Sequence, residues 1–191
     1  MADFKLVRAM GENIVDIVTG NRIAIEVSMQ DDTLANYYRH GLGQENTTYL
    51  ARVIAQIEFH FPHLRCLEIG AGTGGATQAI LQETKQSFLS YTFTDLSSGF
   101  FSSAETLFRD VSVPMIFKTL NINVDPAQQG FEDHSYDVVI ASLVLHTTSS
   151  LRRTLKNIWQ LLKAGGYLVV LELLKDLPVR YTAMFGCFSG W

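Results

Sequence analysis

The stretch Leu67–Thr77 reads LEIGAGTGGAT and carries the clearest fold signal of the chain. It starts in a short apolar run, Arg65–Ile69, which predicts a buried strand, and it leads into a helical pattern over Thr77–Gln86. Four of the six residues from Gly70 to Gly75 are glycine, so the backbone can turn sharply and a ligand can approach it without meeting a Cβ atom. The pattern therefore predicts either a ligand-binding turn or merely a tight strand-to-helix connection.

Outward from this turn, apolar runs alternate with helical patterns. The predicted strands are Arg65–Ile69, Tyr91–Thr94, Met115–Leu120, Tyr136–Leu145 and Tyr167–Leu173, and further helices are predicted over Gly99–Val111 and Leu151–Lys163. In the last helix we expect Leu151 and Leu155 on the buried face and Arg152, Arg153 and Lys156 toward water. Five repeats of strand and helix predict an α/β fold with a parallel, doubly wound sheet.

The residues before Arg65 follow a different pattern. An amphipathic helix over Asn46–Phe61 is expected to pack on the sheet, and a shorter helix is expected over Ile14–Val18. We therefore divide the chain into an N-terminal extension, residues 1–45, which forms part of a lid, and a single core domain, residues 46–191.

Two carboxylates near the glycine turn bear on its ligand. Gly70, Gly72 and Gly75 satisfy the G-x-G-x-x-G pattern that holds a pyrophosphate at a helix N-terminus. Glu68 is a poor neighbour for a pyrophosphate and suits a ligand with cationic groups, such as the sulfonium and ammonium of S-adenosylmethionine. Asp95 ends the second predicted strand and can accept hydrogen bonds from the ribose hydroxyls of either ligand. The residues thus favour a nucleoside ligand and leave both kinds open.

A histidine and a glutamate follow neighbouring strands. His146 comes after the fourth predicted strand, and Glu172 lies near the end of the fifth. A carboxylate beside an imidazole fixes its tautomer, as a general base requires. The alternative is that His146 only caps its strand and that Glu172 is solvated at the rim. The spacing does not decide between them.

Composition excludes several classes of function. The chain of 191 residues has a net charge of −4 and no run of Lys or Arg, which argues against a nucleic-acid partner. No apolar run approaches the length of about 20 residues that spans a membrane, and no secretory signal is visible, so we expect a cytoplasmic protein. Cys66 and Cys187 are far apart, and neither the cysteines nor the histidines have metal-ligand spacing, so we expect no metal.

Longer motifs occur in a fixed order along the chain. They are LEIGAGTGGAT, YTFTDLSSGFF (Tyr91–Phe101), DP-x-x-QGF (Asp125–Phe131), SYDVVIASLVLHTT (Ser135–Thr148), LLKAGGYLVVLEL (Leu161–Leu173) and GCFSGW (residues 186–191). Together they resemble the C-methyltransferase domain of fungal highly reducing polyketide synthases, within the class I methyltransferases that use S-adenosylmethionine. The resemblance covers nearly the whole chain.

The resemblance implies a Rossmann-like fold with strand order 3-2-1-4-5 and helices on both faces of the sheet. It implies S-adenosylmethionine as cofactor, bound by Glu68, Gly70, Gly72, Gly74, Asp95, Leu96, Asn121, Ile122 and Ser142. It also implies that His146 and Glu172 form a dyad that deprotonates the α-carbon of a β-ketoacyl thioester held on an acyl carrier protein. Association with other polyketide-pathway proteins follows as an expectation.

The chain departs from the family's pattern in a few places. Asn121 stands where the family has Asp, Leu143 where it commonly has Asn, and Ala164 where it has Pro. The chain also stops where the family's domain continues, so we expect the C-terminal hairpin strands to be missing. Two alternatives to C-methylation stay open: a stand-alone O- or N-methyltransferase of a small secondary metabolite, and an inactive shortened relict or interaction module.

Overall fold

The computed structural model describes residues 2–40, 44–172 and 179–188. The strands are β1 (Arg65–Ile69), β2 (Ser90–Asp95), β3 (Met115–Thr119), β4 (Tyr136–Ser142) and β5 (Leu162–Leu171). The helices are α1 (Ala2–Glu12), α2 (Ile14–Val18), α3 (Ala24–Met29), α4 (Thr33–His40), α5 (Gln44–His60), α6 (Gly75–Glu83), α7 (Phe101–Leu107), α8 (Leu151–Leu161) and α9 (Val179–Phe185). Short 3-10 helices span Gln30–Asp32, Ser98–Phe100, Pro126–Gln129 and Leu145–Thr147. Contacts divide the described residues into a larger unit, residues 46–172, and a smaller one formed by the described parts of 1–45 and 173–191.

The larger unit is built on one parallel sheet with the order β3-β2-β1-β4-β5. This confirms the predicted fold class and strand order. The three central strands, β1, β2 and β4, are buried on both faces, as is typical of parallel strands covered on both sides. The register pairs Ile69 of β1 with Ala141 of β4, and Ser142 of β4 with Leu171 of β5, so these strands end close together at one edge.

Helices cover both faces of the sheet. One face packs its buried side chains against α5 and α6. Its members include Leu50, Ile54, Cys66, Ile80, Tyr91, Phe93, Val138 and Ile140. The other face packs against α8 and the segment after β3, and its members include Leu67, Ile69, Ile122, Phe131, Val139, Ile158 and Leu161. Burial of each large aliphatic side chain contributes roughly 1.5–3 kcal/mol, so both layers hold the sheet edge in place.

The smaller unit has a core of its own. It is formed by buried residues of α1, α3, α4 and α9: Leu6, Met10, Ala24, Val27, Leu34, Tyr37, Met184 and Phe185. The sequence analysis divided the chain so that the core domain ran from residue 46 to residue 191. The described residues after 172, which are 179–188, group with this smaller unit. Whether residues 1–45 act as a lid stays a prediction. No helix among the described residues has both the length and the apolar character to span a membrane.

Several element boundaries and one helix face differ from the sequence-based expectation. β4 ends at Ser142 rather than Leu145, because the chain turns at Leu143 with φ +55° and then forms a 3-10 helix. β5 begins at Leu162 and ends at Leu171, and the predicted end at Leu173 lies outside the described residues. In α8 the buried face carries Thr154, Asn157, Ile158 and Leu161. Leu151 and Leu155, expected to be buried, are 54% and 40% exposed.

Candidate active site

The predicted site residues follow the carboxyl ends of the strands, where ligands of open α/β sheets bind. The glycine turn follows β1, Asp95 ends β2, Asn121 follows β3, His146 follows β4, and Glu172 follows β5. The parallel order brings these five strand ends to one edge of the sheet.

Two glycines of the turn have different surroundings. Gly70 has φ +63°, and a Cβ atom there would lie 2.5 Å from Cγ2 of Val144, so its lack of a side chain lets the turn contact the segment after β4. Gly72 has φ +54°, and a Cβ atom there would meet nothing closer than the Gly70 carbonyl oxygen at 3.9 Å. The turn is therefore closed on the protein side at Gly70 and open at Gly72. Gly74, the N-cap of α6, packs against the ring of Phe108.

Asp95 fixes the open part of the turn. Its Oδ2 accepts a hydrogen bond from the Gly72 N–H at 3.0 Å, and its Oδ1 accepts one from the Ser97 N–H at 2.9 Å. A carboxylate has about four acceptor positions, so Asp95 retains capacity for hydroxyl donors of a ligand. The next residue, Leu96, is 72% exposed, which places an apolar side chain beside this carboxylate.

Glu68 lies behind the turn. It is only 1% exposed, and its Oε2 accepts hydrogen bonds from Thr77 Oγ1 at 2.5 Å and from the Tyr91 hydroxyl at 2.6 Å. Burial raises the pKa of the Glu68 carboxyl, and the two hydroxyl donors act against that rise. Burial and the neighbouring Glu68 likewise raise the pKa of the Tyr91 phenol. The visible effect of Glu68 is to join β1 to α6 and β2, and its contact with a cationic ligand stays a prediction.

The segment after β3 is held by an amide that the sequence did not single out. The Gln129 side chain donates from Nε2 to the Asn121 carbonyl at 3.0 Å and accepts from the Asn121 N–H at 2.8 Å through Oε1. Asn121 Oδ1 in turn accepts from the Asn123 N–H at 3.1 Å. Ile122 is 4% exposed, so its side chain belongs to the core and only its backbone is available for a ligand. Gln129 lies in the DP-x-x-QGF motif, and that motif was the one signal for it.

A second set of contacts joins the β3 and β4 segments. Asn123 Oδ1 accepts hydrogen bonds from the Ser149 N–H at 3.0 Å and from its hydroxyl at 2.9 Å. Ser142, the last residue of β4, is partly exposed and pairs with Leu171. Beyond it, Leu143 donates its N–H to the Leu171 carbonyl at 2.7 Å. These contacts fix the position from which the histidine segment departs.

The structure brings His146 and Glu172 together. His146 Nδ1 lies 2.7 Å from Glu172 Oε2, and the two side chains are 26% and 20% exposed. The other oxygen of Glu172, Oε1, accepts from the N–H groups of Val144, at 2.8 Å, and Leu145. Glu172 therefore orients the imidazole and caps the 3-10 helix that carries it.

This geometry decides the tautomer of His146. A carboxylate accepts hydrogen bonds, so the neutral imidazole in this pair carries its proton on Nδ1, and the basic lone pair lies on Nε2. A partly exposed imidazole held in one orientation can act as a general base. Among the described residues, no cluster of His, Cys, Asp or Glu could hold a metal ion.

Comparison with known proteins identifies the family of this fold and site. A family model described as a methyltransferase domain matches residues 67–168. The chain is 47% identical over 189 residues to a hybrid PKS-NRPS synthetase, iccA, of Talaromyces variabilis, and 47% identical over 191 residues to a polyketide synthase-nonribosomal peptide synthetase, pyiS, of Pyricularia grisea. Each match covers 99% of this chain and 5% of the synthetase, so the chain spans about one twentieth of those relatives.

Solved structures agree with these sequence matches. The CurJ carbon methyltransferase aligns with a TM-score of 0.89 at 35% identity, covering 100% of this chain and 52% of that one. The trans-methyltransferase CalH, solved in complex with SAH, aligns with a TM-score of 0.81 at 36% identity, covering 96% and 51%. The CMeT domain of the citrinin polyketide synthase aligns with a TM-score of 0.84 at 28% identity, covering 100% and 52%. The chain therefore belongs to the methyltransferase domain family, and the predicted resemblance to the C-methyltransferase domains of fungal polyketide synthases is confirmed.

Proposed function

We propose that this chain transfers a methyl group from S-adenosylmethionine to the α-carbon of a β-ketoacyl thioester in secondary metabolism. The observation that carries the proposal is the 2.7 Å contact between His146 Nδ1 and Glu172 Oε2 at the sheet edge that also holds the glycine turn. A base with a fixed tautomer is what proton removal from carbon requires, whereas a bound nucleoside alone does not need one.

The residues of the edge fit an adenosyl cofactor. Gly72 leaves open space beside the backbone, and Asp95 has acceptor positions for ribose hydroxyls. Leu96 offers an apolar surface to an adenine ring, and Asn121, Ile122 and Ser142 border the same edge. When bound, S-adenosylmethionine supplies an electrophilic methyl group and departs as a neutral sulfide.

The chain's own contribution is the base and its orientation. A carbon between two carbonyl groups is acidic enough for an imidazole to remove its proton. His146 Nε2 takes that proton, and the electron pair left on the substrate forms the new bond to the methyl carbon. Glu172 holds Nδ1–H and stabilises the imidazolium produced, and the proton then passes to solvent. The edge residues keep donor and acceptor carbon aligned.

The relatives favour this substrate class. Several are named as polyketide synthase hybrids or as carbon methyltransferases, which supports a carbon acceptor over an oxygen or nitrogen acceptor. The substrate arm on an acyl carrier protein, the cytoplasmic location and the association with other pathway proteins remain parts of the proposal.

The test compares variants of the dyad on two acceptors. We expect methylation of a β-ketoacyl N-acetylcysteamine thioester and none of a phenol. His146→Ala should lower kcat by roughly 10²–10⁴-fold because the base is gone. Glu172→Gln keeps an acceptor for the Val144 N–H but no longer stabilises the imidazolium, so we expect kcat to fall at least about tenfold.

Titration calorimetry with S-adenosylmethionine supplies the control, because neither substitution should change cofactor affinity appreciably. A fully active His146→Ala variant would refute the role of His146 as the general base. Methylation of the phenol in preference to the thioester would favour an O-methyltransferase. Failure of the wild-type chain to bind S-adenosylmethionine would favour the alternative that the chain is an inactive relict or interaction module.

A further inference from the structure

Helix α8 presents an apolar row to solvent that its packing on the sheet does not use. Leu151 is 54% exposed, Leu155 40% and Trp159 70%. The three residues are spaced four apart, so they form one continuous row on the helix surface, which we call the apolar stripe. The Trp159 ring lies edge-on against His134 at 5.7 Å between ring centroids, which restricts its motion.

Cations flank the apolar stripe on one side. Arg152 and Lys156 follow Leu151 and Leu155 directly in sequence, and at about 100° per residue they lie immediately beside the stripe. Arg153 is a further 100° around the helix and points away from it. All three are exposed, and within the described part of the chain none of them pairs with a carboxylate.

This arrangement does not serve the stability of the helix. A cation in the first helical turn opposes the helix dipole, and Arg152 and Lys156 are like charges at the unfavourable spacing i, i+4. The surface also contrasts with the net charge of −4 of the whole chain. An apolar row bordered by cations that have no carboxylate partner among the described residues is complementary to an amphipathic helix that carries acidic residues.

The stripe begins close to the proposed base in the chain. α8 starts shortly after the 3-10 helix Leu145–Thr147 that carries His146, and Ser149 between them is bound to Asn123 of the β3 segment. The N-terminal end of α8 therefore lies at the carboxyl edge of the sheet, where the proposed acyl thioester would enter. A domain that carries the substrate on a flexible arm would meet this surface while its arm reaches His146.

We propose that Leu151, Leu155 and Trp159, with Arg152 and Lys156, form a docking surface for an acidic amphipathic helix on the carrier domain that presents the acyl thioester. The inference rests on the proposed function, since it assumes that the substrate arrives on a carrier. Apolar contacts at the stripe provide the anchor, and the two cations steer and orient the acidic partner.

The experiment offers the same β-ketoacyl group in two forms to the full chain. One form is attached to an acidic acyl carrier protein, and the other to N-acetylcysteamine. We expect Arg152→Glu to raise the KM for the carrier-borne substrate roughly fivefold, and the Arg152→Glu/Lys156→Glu double variant about tenfold. Neither should change kcat or the KM for the small thioester. Trp159→Ala should raise the carrier KM about tenfold, because aromatic anchors dominate such surfaces.

Arg153→Glu is the matched control, since it makes the same charge reversal one residue away and off the stripe. We expect it to change the carrier KM less than about twofold, and the gap between Arg152→Glu and Arg153→Glu to narrow in about 1 M salt, where the screening length falls to about 3 Å. Equal effects of the two reversals would overturn the proposal. An equal rise in KM for the small thioester would also overturn it. So would variants that change the self-association of the chain but leave the carrier kinetics unchanged, because the surface would then bind a second copy of the chain.

A binding measurement separates this inference from the proposed function. Calorimetry with the unacylated carrier tests docking without turnover, and we expect Arg152→Glu to weaken binding while Arg153→Glu does not. If the wild type methylates neither substrate but shows this pattern, the proposed reaction fails and the docking surface stands. If it methylates the small thioester and the carrier binds all variants equally, the docking surface fails alone.

Discussion

Leu143 adopts a backbone conformation that leucine rarely takes, with φ +55°. The turn it makes after β4 allows the N–H groups of Val144 and Leu145 to meet Oε1 of Glu172. A left-handed conformation costs a non-glycine residue roughly 1–2 kcal/mol, and Asn tolerates it better than other residues. From the sequence, Leu143 was known only as a departure from the Asn that is common at this position in the resembling family. The backbone angle supplies a physical reason for that preference.

We therefore expect Leu143→Asn to raise the free energy of unfolding by about 1 kcal/mol. Leu143→Val should lower it by at least about 1 kcal/mol, because a β-branched side chain is least compatible with this conformation. Urea denaturation of the three proteins checks both directions. An Asn variant less stable than wild type would show that the Leu143 side-chain packing outweighs the backbone strain.

Glu68 should make stability depend on pH. Because burial raises the pKa of its carboxyl in the folded state, folding favours the protonated form. The contribution of the protonated Glu68 to the free energy of unfolding is then complete below its pKa in the unfolded state, about 4.3. It is lost as the pH rises through the pKa in the folded state. Wild type should accordingly lose more free energy of unfolding between pH 5 and pH 8 than Glu68→Gln does.

Tyr91→Phe is a control for this prediction, because it should change the pH dependence of stability in the opposite direction from Glu68→Gln. The Tyr91 hydroxyl donates to Glu68 and holds the carboxyl pKa down, so removing it should raise that pKa further and steepen the loss of stability with pH. Denaturant midpoints measured at both pH values for the three proteins provide the comparison. Identical pH dependence in wild type and Glu68→Gln would contradict the assignment.

At the scale of elements, the site depends on how closely the β1 turn approaches the segment after β4. Gly70→Ala places a Cβ atom 2.5 Å from Val144 Cγ2, whereas Gly72→Ala places one in open space. Both glycines have positive φ, so the backbone cost of the two substitutions is similar. We expect Gly70→Ala to be less stable than Gly72→Ala by about 1–3 kcal/mol, because only it overpacks the contact.

The two variants should also differ in function. Displacement of Val144 in Gly70→Ala disturbs the N–H bound to Glu172, so its kcat should fall, whereas Gly72→Ala should chiefly weaken cofactor affinity. Chemical denaturation, turnover and calorimetry on the pair separate these effects. Equal stability of the two variants would mean that the β1 turn can move away from Val144 without cost.

Sequence patterns predicted the strands and the parallel sheet, because alternating apolar runs are local signals. The strand order and the pairing of His146 with Glu172 were expected only from the resemblance to a known family, since spacing alone did not decide them. The patterns missed the end of β4, since Val144 and Leu145 continue the apolar run although the chain has already turned. They placed Leu151 and Leu155 inward, whereas Thr154 and Asn157 occupy the buried face, with Asn157 donating to the Ile122 carbonyl at 2.8 Å. Amide contacts to backbone, such as those of Asn157 and Gln129, have no periodic signature.

At the scale of the whole molecule, the chain covers about half of the solved relatives and a small part of the synthetases. Binding of a ligand to the folded state alone stabilises it by about 2.7 kcal/mol at 100 times the dissociation constant. We therefore expect SAH at such concentrations to raise the Tm by several degrees.

Asp95→Ala should abolish this rise, because it removes the proposed acceptor for the ribose and the partner of the Gly72 N–H. Asp110→Ala, at an exposed carboxylate beyond α7, is the matched control and should leave the rise unchanged. Thermal scans with and without SAH give the answer. A wild-type Tm indifferent to SAH would contradict cofactor binding at this edge.

The pairing of β4 with β5 has a consequence for how activity arises during folding. Ser142 lies opposite Leu171, and this alignment places Glu172 beside the segment that carries His146. A slip of one residue would turn Glu172 to the opposite side of the sheet. The proposed proton abstraction therefore requires β5 to pair with β4 in this alignment, and specific activity would report the fraction of molecules in which it has done so.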